Sequence, residues 1–285
     1  MKKISNQQMI NEMEIQMYLE GKSDNTYNRY KRILEKIEKH FEGKAISELK
    51  AGEIRKYLME IRKSKKETTY NNYVAALRYV EKKIIGSKEN IEYMLPLARL
   101  KKREVIVPTD EEVIKLIREC EDKEMKCIIE LAITTGGRIS EIVKIKFEDI
   151  YRTQNKLRIK GKGGKERYTE MPEEMLKELE EYYRGYRKRI DNEYMFSREK
   201  GHVKSDYVGR ELKRIEKKIG LKEYTMHQLR KYFATKKYAQ TRDIKYVSRI
   251  LGHHDETTQR KYISENYEQY KTLTTTEIIV RAQQR

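Results

Sequence analysis

Apolar positions fall at helical spacing over most of this chain. In TYNRYKRILEKIEKHF they are Tyr27, Tyr30, Ile33, Leu34, Ile37 and Phe41, and Ser23, Asp24 and Thr26 offer N-cap side chains before them. AISELKAGEIRKYLMEIRK is a second helical region, with Ile54, Tyr57, Leu58 and Ile61 on one face. TTYNNYVAALRYVEKKI is a third, with Tyr73, Leu77 and Val80 in phase. Periodicity fails in MLPLARLKKREVIVP, which holds Pro96, Pro108 and the basic run Lys101, Lys102 and Arg103. The pattern therefore predicts a helical bundle over 1–94, a basic linker over 95–108, and a second domain over 109–285.

The second domain opens on TDEE, a capping box in which Thr109 and Glu112 satisfy each other's backbone amides. The helix that follows aligns Val113, Leu116, Ile117 and Cys120, and another covers Lys123 to Thr135. KLRIKGKGGKERYTEM then alternates, with Leu157 and Ile159 on one side and Arg158 and Lys160 on the other. GKGGK lies between the two runs, so this is a β-hairpin. Helices are expected to resume at Pro172 and to dominate to the end. The tail TTTEIIVRAQQR carries a further capping box, Thr274 to Glu277, and a short helix with Ile278, Ile279 and Ala282. The expected fold is mostly α with a small antiparallel sheet in the C-terminal domain.

Charge narrows the partners. Lys plus Arg is 64 and Asp plus Glu is 46, a formal net charge of +18. That excess suits a polyanion, with nucleic acid ahead of an anionic membrane surface. No run approaches the ~18 apolar residues of a membrane span. The lysines of MKKISNQQMINEM precede no apolar stretch, so a signal peptide is not expected and the cytoplasm is the default. Cys120 and Cys127 make no disulfide framework and read as reduced core thiols.

Four stretches carry chemistry, and each is weak alone. TTGGRISEI places Arg138 after a Gly-Gly break between helices, either a helix cap with a solvated arginine or an arginine aimed into a cleft. HQLRKYFAT puts His227 and Arg230 on one helical face, with Phe233 and Ala234 able to pack below; taken alone it reads as an exposed basic face. IKGKGGKER presents Lys162 at a hairpin tip but lacks the phosphate-loop pattern of nucleotide-binding proteins. LGHHDETTQRKY offers adjacent histidines, which splay apart, and the chain's five histidines and two cysteines complete no tetrahedral metal set.

Their order is more specific. Arg138, Lys162, His227 and Arg230 in HQLR, His253 in LGHH, and Tyr262 nine residues later resemble the tyrosine recombinase (phage integrase) family, most like its Xer-type members. The resemblance covers nearly the whole chain, including the NTYNRY start of the first bundle. Gly252 and Thr258 also fit, as does Glu141, read as a structural neighbour. Gly137 stands where the family often has an apolar residue, and Lys231 where it often has a histidine. Neither position is expected to touch reacting atoms.

The resemblance implies a helical core-binding domain joined to a mixed α+β catalytic domain. It implies DNA strand cleavage and rejoining through a 3′-phosphotyrosyl bond, without metal, ATP or other cofactor. Tyr262 would be the nucleophile. Arg138, Arg230 and His253 would stabilise the transition state, and Lys162 would be the general acid. His227 would assist as base or position the phosphate. Lys165, Arg167, Lys101, Lys102 and Arg103 are expected to contact DNA. The implied partners are double-stranded DNA and further copies of the chain, a tetramer in the synapse, with the tail helix over 275–284 docking on a neighbour. No membrane partner is expected, and the implied location is the cytoplasm, in association with the nucleoid. The implied tasks are resolution of chromosome or plasmid dimers, or mobile-element integration. A type IB topoisomerase-like enzyme and a non-catalytic DNA-binding protein are the competing readings.

Overall fold

The computed structural model describes residues 3–86, 95–100, 105–161, 164–252, 263 and 266–284. The chain divides into two units, Met1–Lys102 and Arg103–Arg285.

The first unit is helical. α1 spans Asn6–Leu19, α2 Asp24–His40, α3 Ala51–Ser64 and α4 Glu67–Val80. The sequence pattern assigns no element to α1, yet its start is a capping box. Ser5 N donates to Gln8 Oε1 at 3.1 Å, and Gln8 N donates to Ser5 Oγ at 3.2 Å. Met9, Met13 and Met17 repeat every four residues and are buried with Ile10. Their flexible thioethers fill the space beside Leu34, Ile37, Val74 and Leu77 in one core.

The expected linker divides between the two units. Leu95 is buried in the first core. Tyr70 Oη donates to the Pro96 carbonyl at 2.8 Å, Arg78 Nη2 to that of Leu95 at 2.7 Å, and Asn71 Nδ2 to that of Ala98 at 3.0 Å. Val105 and Val107 are buried in the second core. Lys101, Lys102 and Arg103 lie outside the described residues.

In the second unit, α5 spans Asp110–Arg118, α6 Lys123–Thr135 and α7 Ile139–Ile142. A three-stranded antiparallel sheet follows: β1 Ile150–Tyr151, β2 Lys156–Lys160 and β3 Glu166–Glu170, in that order. The register sets Leu157 opposite Thr169 and Ile159 opposite Arg167. Leu157 and Ile159 enter the core, as their alternation predicts. After α8, Glu173–Glu181, helices dominate as expected, with one short addition. β4 Ser197–Arg198 and β5 Gly201–His202 pair as a second small sheet, and strands of two residues are too short to leave an alternating pattern. The remaining helices are α9 Ser205–Lys218, α10 Met226–Thr241, α11 Ile244–Leu251 and α12 Thr275–Gln283.

α6 is the spine: every residue from Cys127 to Thr135 is buried. α10 lies along it and is tied to α5 by a buried ion pair. Lys236 Nζ reaches both Asp110 oxygens at 2.8 and 2.9 Å, and Tyr232 Oη donates to the same carboxylate at 2.5 Å. Cys120 and Cys127 are buried free thiols.

The tail also departs from expectation. Instead of leaving its apolar face for a neighbouring protomer, α12 buries Ile278, Ile279 and Ala282 in its own unit. It packs on α5, α6 and α8. Arg118 Nη2 donates to the Arg281 carbonyl at 3.0 Å, and Gln283 Nε2 to Glu178 Oε1 at 3.1 Å. A site on the same chain is met at a far higher effective concentration than one on another molecule.

Glu130, on α6, is fully buried, and neither carboxylate oxygen has a hydrogen-bond partner among the described residues. Burial, with Glu178 nearby, pushes its pKa up to about 8. An unfolded carboxyl ionises near pH ~4.3, so the folded state holds a proton that the unfolded state releases. The stability Glu130 contributes is therefore full below that value and is lost as pH rises toward 8. Glu130→Gln should raise the thermal midpoint by several degrees more at pH 8 than at pH 5. A midpoint difference independent of pH would show that the carboxyl is ionised in the fold.

Candidate active site

The site is built where α6 stops. Gly136 caps that helix at φ +60°. A side chain there would run into the Phe233 ring and come within 2.6 Å of Leu251 Cδ2. Glycine serves both needs at once: a left-handed backbone and close approach to α10 and α11. The chain then turns into α7, and Arg138 N donates to Glu141 Oε2 at 2.8 Å.

Glu141 gathers three guanidinium groups. Its Oε1 accepts from Arg138 Nη1 at 2.8 Å. Its Oε2 accepts from Arg167 Nη2 at 2.7 Å and lies 3.8 Å from Arg230 Nη1. Burial alone would raise the Glu141 pKa, but Arg167 and Arg138 outweigh it and hold the carboxyl below its usual range.

The three arginines differ in setting. Arg230 is 1% exposed and donates to the Gly136 carbonyl and, at 2.8 Å, to that of Leu251. An exposed basic face was the simple reading of HQLR; burial of this arginine between α6 and α11 overturns it. Phe233 and Ala234 pack below, with Val247 and Leu251. The Arg138 side chain is 40% exposed, so one cation of the group faces outward. Arg167 is 12% exposed and donates through Nε to the Ile250 carbonyl at 3.1 Å. The sequence expects this residue to contact DNA; the structure places its guanidinium inside the fold, on Glu141 and the Ile250 carbonyl.

His227 sits one turn before Arg230 on α10. Desolvation by the surrounding protein lowers its pKa, and Lys231, Arg230 and Arg138 act in the same direction, to about 4. The ring is neutral at physiological pH although the residue is exposed. Burial also lowers the pKa of Lys231. Lys165 is exposed, and its carbonyl accepts from Gly161 N at 2.7 Å.

Lys162, His253 and Tyr262 lie outside the described residues. The residues preceding two of them are placed. A side chain on Gly161 would lie 3.5 Å from Glu141 Oε1, and one on Gly252 3.4 Å from Arg167 Cδ. Gly161, just past β2, and Gly252, at the end of α11, thus both abut the arginine cluster. Beside it, a cleft of about 180 Å³ is lined by Glu141, Lys144, Lys146, Asp149, Arg158 and Lys160. Its three lysines and Arg158 extend the positive surface; the sequence assigns none of them a site role, since they are four among many basic residues. Among the described residues no group of three or more His, Cys, Asp or Glu side chains could hold a metal ion. The cluster can bind an oxyanion and stabilise added negative charge on it.

Comparison with known proteins fits this arrangement. The profile of the phage integrase family matches residues 102–269, and that of its N-terminal SAM-like domain matches 14–83. The chain belongs to the phage integrase family. Members of this family, the tyrosine recombinases, catalyse DNA cleavage and rejoining. The chain is 32% identical over 263 residues to tyrosine recombinase XerA of Pyrococcus furiosus, covering 90% of this chain and 88% of that protein. It is similar in structure to the XerH recombinase bound to palindromic difH substrate, with a TM-score of 0.69 at 22% identity over 83% of this chain and 75% of that one. A lambda integrase tetramer bound to a Holliday junction gives 0.70 at 18% identity, over 90% and 79%. These two share the two-domain recombinase fold.

The His227 ring should titrate near pH 4 in the free protein when followed by NMR, and its pKa should rise when a phosphate diester occupies the cluster. Its folded pKa is depressed, so its contribution to stability is full above pH ~6.5 and declines as pH falls toward 4. Titration near 6.5 in the free protein would contradict the crowding by cations.

Proposed function

We propose that the chain is a site-specific DNA recombinase that breaks and rejoins strands through a 3′-phosphotyrosyl intermediate formed by Tyr262. The observation that supports this most is the grouping of Arg138 and Arg230 on one buried carboxylate, with Arg138 facing outward. Similarity to Xer-named recombinases over most of both chains supports an Xer-type role. Such a role covers dimer resolution or mobile-element integration.

The chemistry follows from charge. Tyr262 Oη attacks a backbone phosphorus, the bond to the 5′-oxygen breaks, and negative charge builds on the non-bridging oxygens. Arg138 and Arg230 meet that charge with planar donor forks, and His253 adds a hydrogen bond. Lys162 gives its proton to the departing 5′-oxygen; an amine of ordinary pKa near ~10.4 keeps that proton until then. His227, neutral at working pH, accepts a proton from Tyr262 or orients the phosphate. A 5′-hydroxyl of the partner duplex then attacks the phosphotyrosine and releases Tyr262. The phosphotyrosyl bond conserves the energy of the broken one, so neither ATP nor a metal ion is required.

The XerH complex on difH and the lambda integrase tetramer on a Holliday junction support double-stranded DNA as the partner and a tetramer as the working assembly. Lys165, Lys101, Lys102 and Arg103 are assigned to phosphate contacts, which fix position without reading sequence. No described helix is long and apolar enough to cross a membrane. The cytoplasm, at the nucleoid, is the location this reading requires.

Tyr262→Phe should keep DNA affinity and lose the covalent adduct that wild type forms on nicked suicide substrate. Arg138→Ala or Arg230→Ala should slow adduct formation by about 10²–10³-fold, the scale of losing an oxyanion donor. An adduct in the phenylalanine variant, seen on a denaturing gel, would remove Tyr262 as nucleophile. Strand exchange between two duplexes separates a recombinase from a nicking and resealing enzyme.

A further inference from the structure

Arg167 lies on β3 and faces inward, opposite the buried Ile159 of β2. Its strand pairs with β2, and Lys162 lies between the two strands in sequence. Three things meet its side chain. Nη2 reaches Glu141 Oε2 at 2.7 Å, the carboxylate that also holds Arg138. Nε donates to the Ile250 carbonyl at 3.1 Å, near the end of α11. Gly252 abuts its stem: a Cβ there would sit 3.4 Å from Arg167 Cδ and 3.6 Å from Nη1. Leu251, between those two positions, supplies the carbonyl for Arg230 Nη2, and His253 follows Gly252 in the chain.

We propose that Arg167 is a positioning residue. It locks the lysine-bearing hairpin to the arginine pocket and to the end of α11, so that the proton donor and the charge-stabilising groups address the same phosphate. The inference rests on the recombinase reading above and deepens it. A guanidinium suits this task because one rigid plane offers Nε and Nη2 to two acceptors on different elements. A lysine ammonium on a flexible stem has no such fork and cannot hold both bonds in that geometry. Glycine at 252 supplies the φ of +65° that ends α11, and a Cβ there would touch the arginine stem only at ordinary van der Waals distance. Without this tie the hairpin keeps its strand pairing to β1, the packing of its apolar face, and the ion pairs of Arg158 and Lys160 with Glu148 and Asp149. Those ion pairs all leave from β2, so Arg167 is the tie from β3 to Glu141, and proton transfer depends on positions held to a fraction of an ångström.

The test separates a positioning role from DNA contact and from general support of the fold. Wild type and Arg167→Lys are compared in single-turnover adduct formation on two substrates. One has an ordinary scissile phosphate; the other has sulfur in place of the bridging 5′-oxygen. The thiolate leaves as an anion when the P–S bond breaks, so that substrate needs no proton from Lys162. Arg167→Lys should slow the ordinary reaction on the order of 10²-fold, the lower end for losing general acid catalysis. It should restore most of the rate on the sulfur substrate. The DNA affinity of Arg167→Gln should keep the wild-type salt dependence, and Arg167→Lys should cost little more in a Lys162→Ala background. If the lysine form unfolds, Arg167→Gln is measured in its place.

Equal loss on both substrates would overturn the proposal in favour of general support. A salt slope reduced by about one in Arg167→Gln, which removes the charge that Arg167→Lys keeps, would overturn it in favour of a phosphate contact. Failure of wild type to form any adduct would overturn the recombinase reading and this inference together. Adduct formation by wild type with no thiolate rescue of the variant would overturn this inference alone.

Discussion

One buried carboxylate sets the terms for the catalytic unit. Arg138, Arg167 and Arg230 come from three separate elements, and their charges repel. At ~4 Å and an effective dielectric of ~20, two like charges cost about 4 kcal/mol. Glu141 offsets that repulsion and remains ionised because the arginines outweigh its burial. The cluster still carries two more positive charges than negative ones, since three guanidinium groups meet one carboxylate. That surplus is what a phosphate diester and its transition state can answer.

The rest of the unit holds the participants at that distance. Gly136 lets α6, α10 and α11 meet closely enough for its own carbonyl and that of Leu251 to clamp Arg230. The Asp110–Lys236 pair fixes α10 to α5 from the other end of the helix. Breaking such a buried pair by removing one partner costs about 3–5 kcal/mol, because the remaining charge is stranded. The α12 tail closes the same side of the core as α5, so the helix that carries His227 and Arg230 is supported well away from the reacting atoms.

Much of this was legible in the sequence wherever a local rule decides. The Thr109–Glu112 box, the Lys123–Thr135 helix and the β2–β3 hairpin follow from caps, period and glycine placement, and the structure has them there. α1 was missed because polar residues separate its methionines, although Ser5 and Gln8 carry the cap signature. β4 and β5 are set by pairing within a loop and have no period to detect. Arg167 was read as a DNA contact because a basic hairpin looks the same whether its arginines face out or in. The alternation that placed Ile159 in the core was the available signal, since Arg167 pairs with it across the ladder. The tail's apolar face was visible, but amphipathicity states that a face is buried and not against which chain. Glu141 was seen beside Arg138, while its link to Arg230 joins positions far apart in sequence that only the fold brings together.

The central claim is that Glu141 organises the arginines, and Glu141→Gln tests it most directly. The amide keeps the size and removes the charge. Single-turnover adduct formation on suicide DNA, with melting temperature and DNA affinity measured alongside, is the experiment. The account predicts a folded, DNA-binding variant whose cleavage is slowed on the order of 10²-fold or more, the scale on which charge-stabilising groups act. Cleavage at the wild-type rate would contradict it.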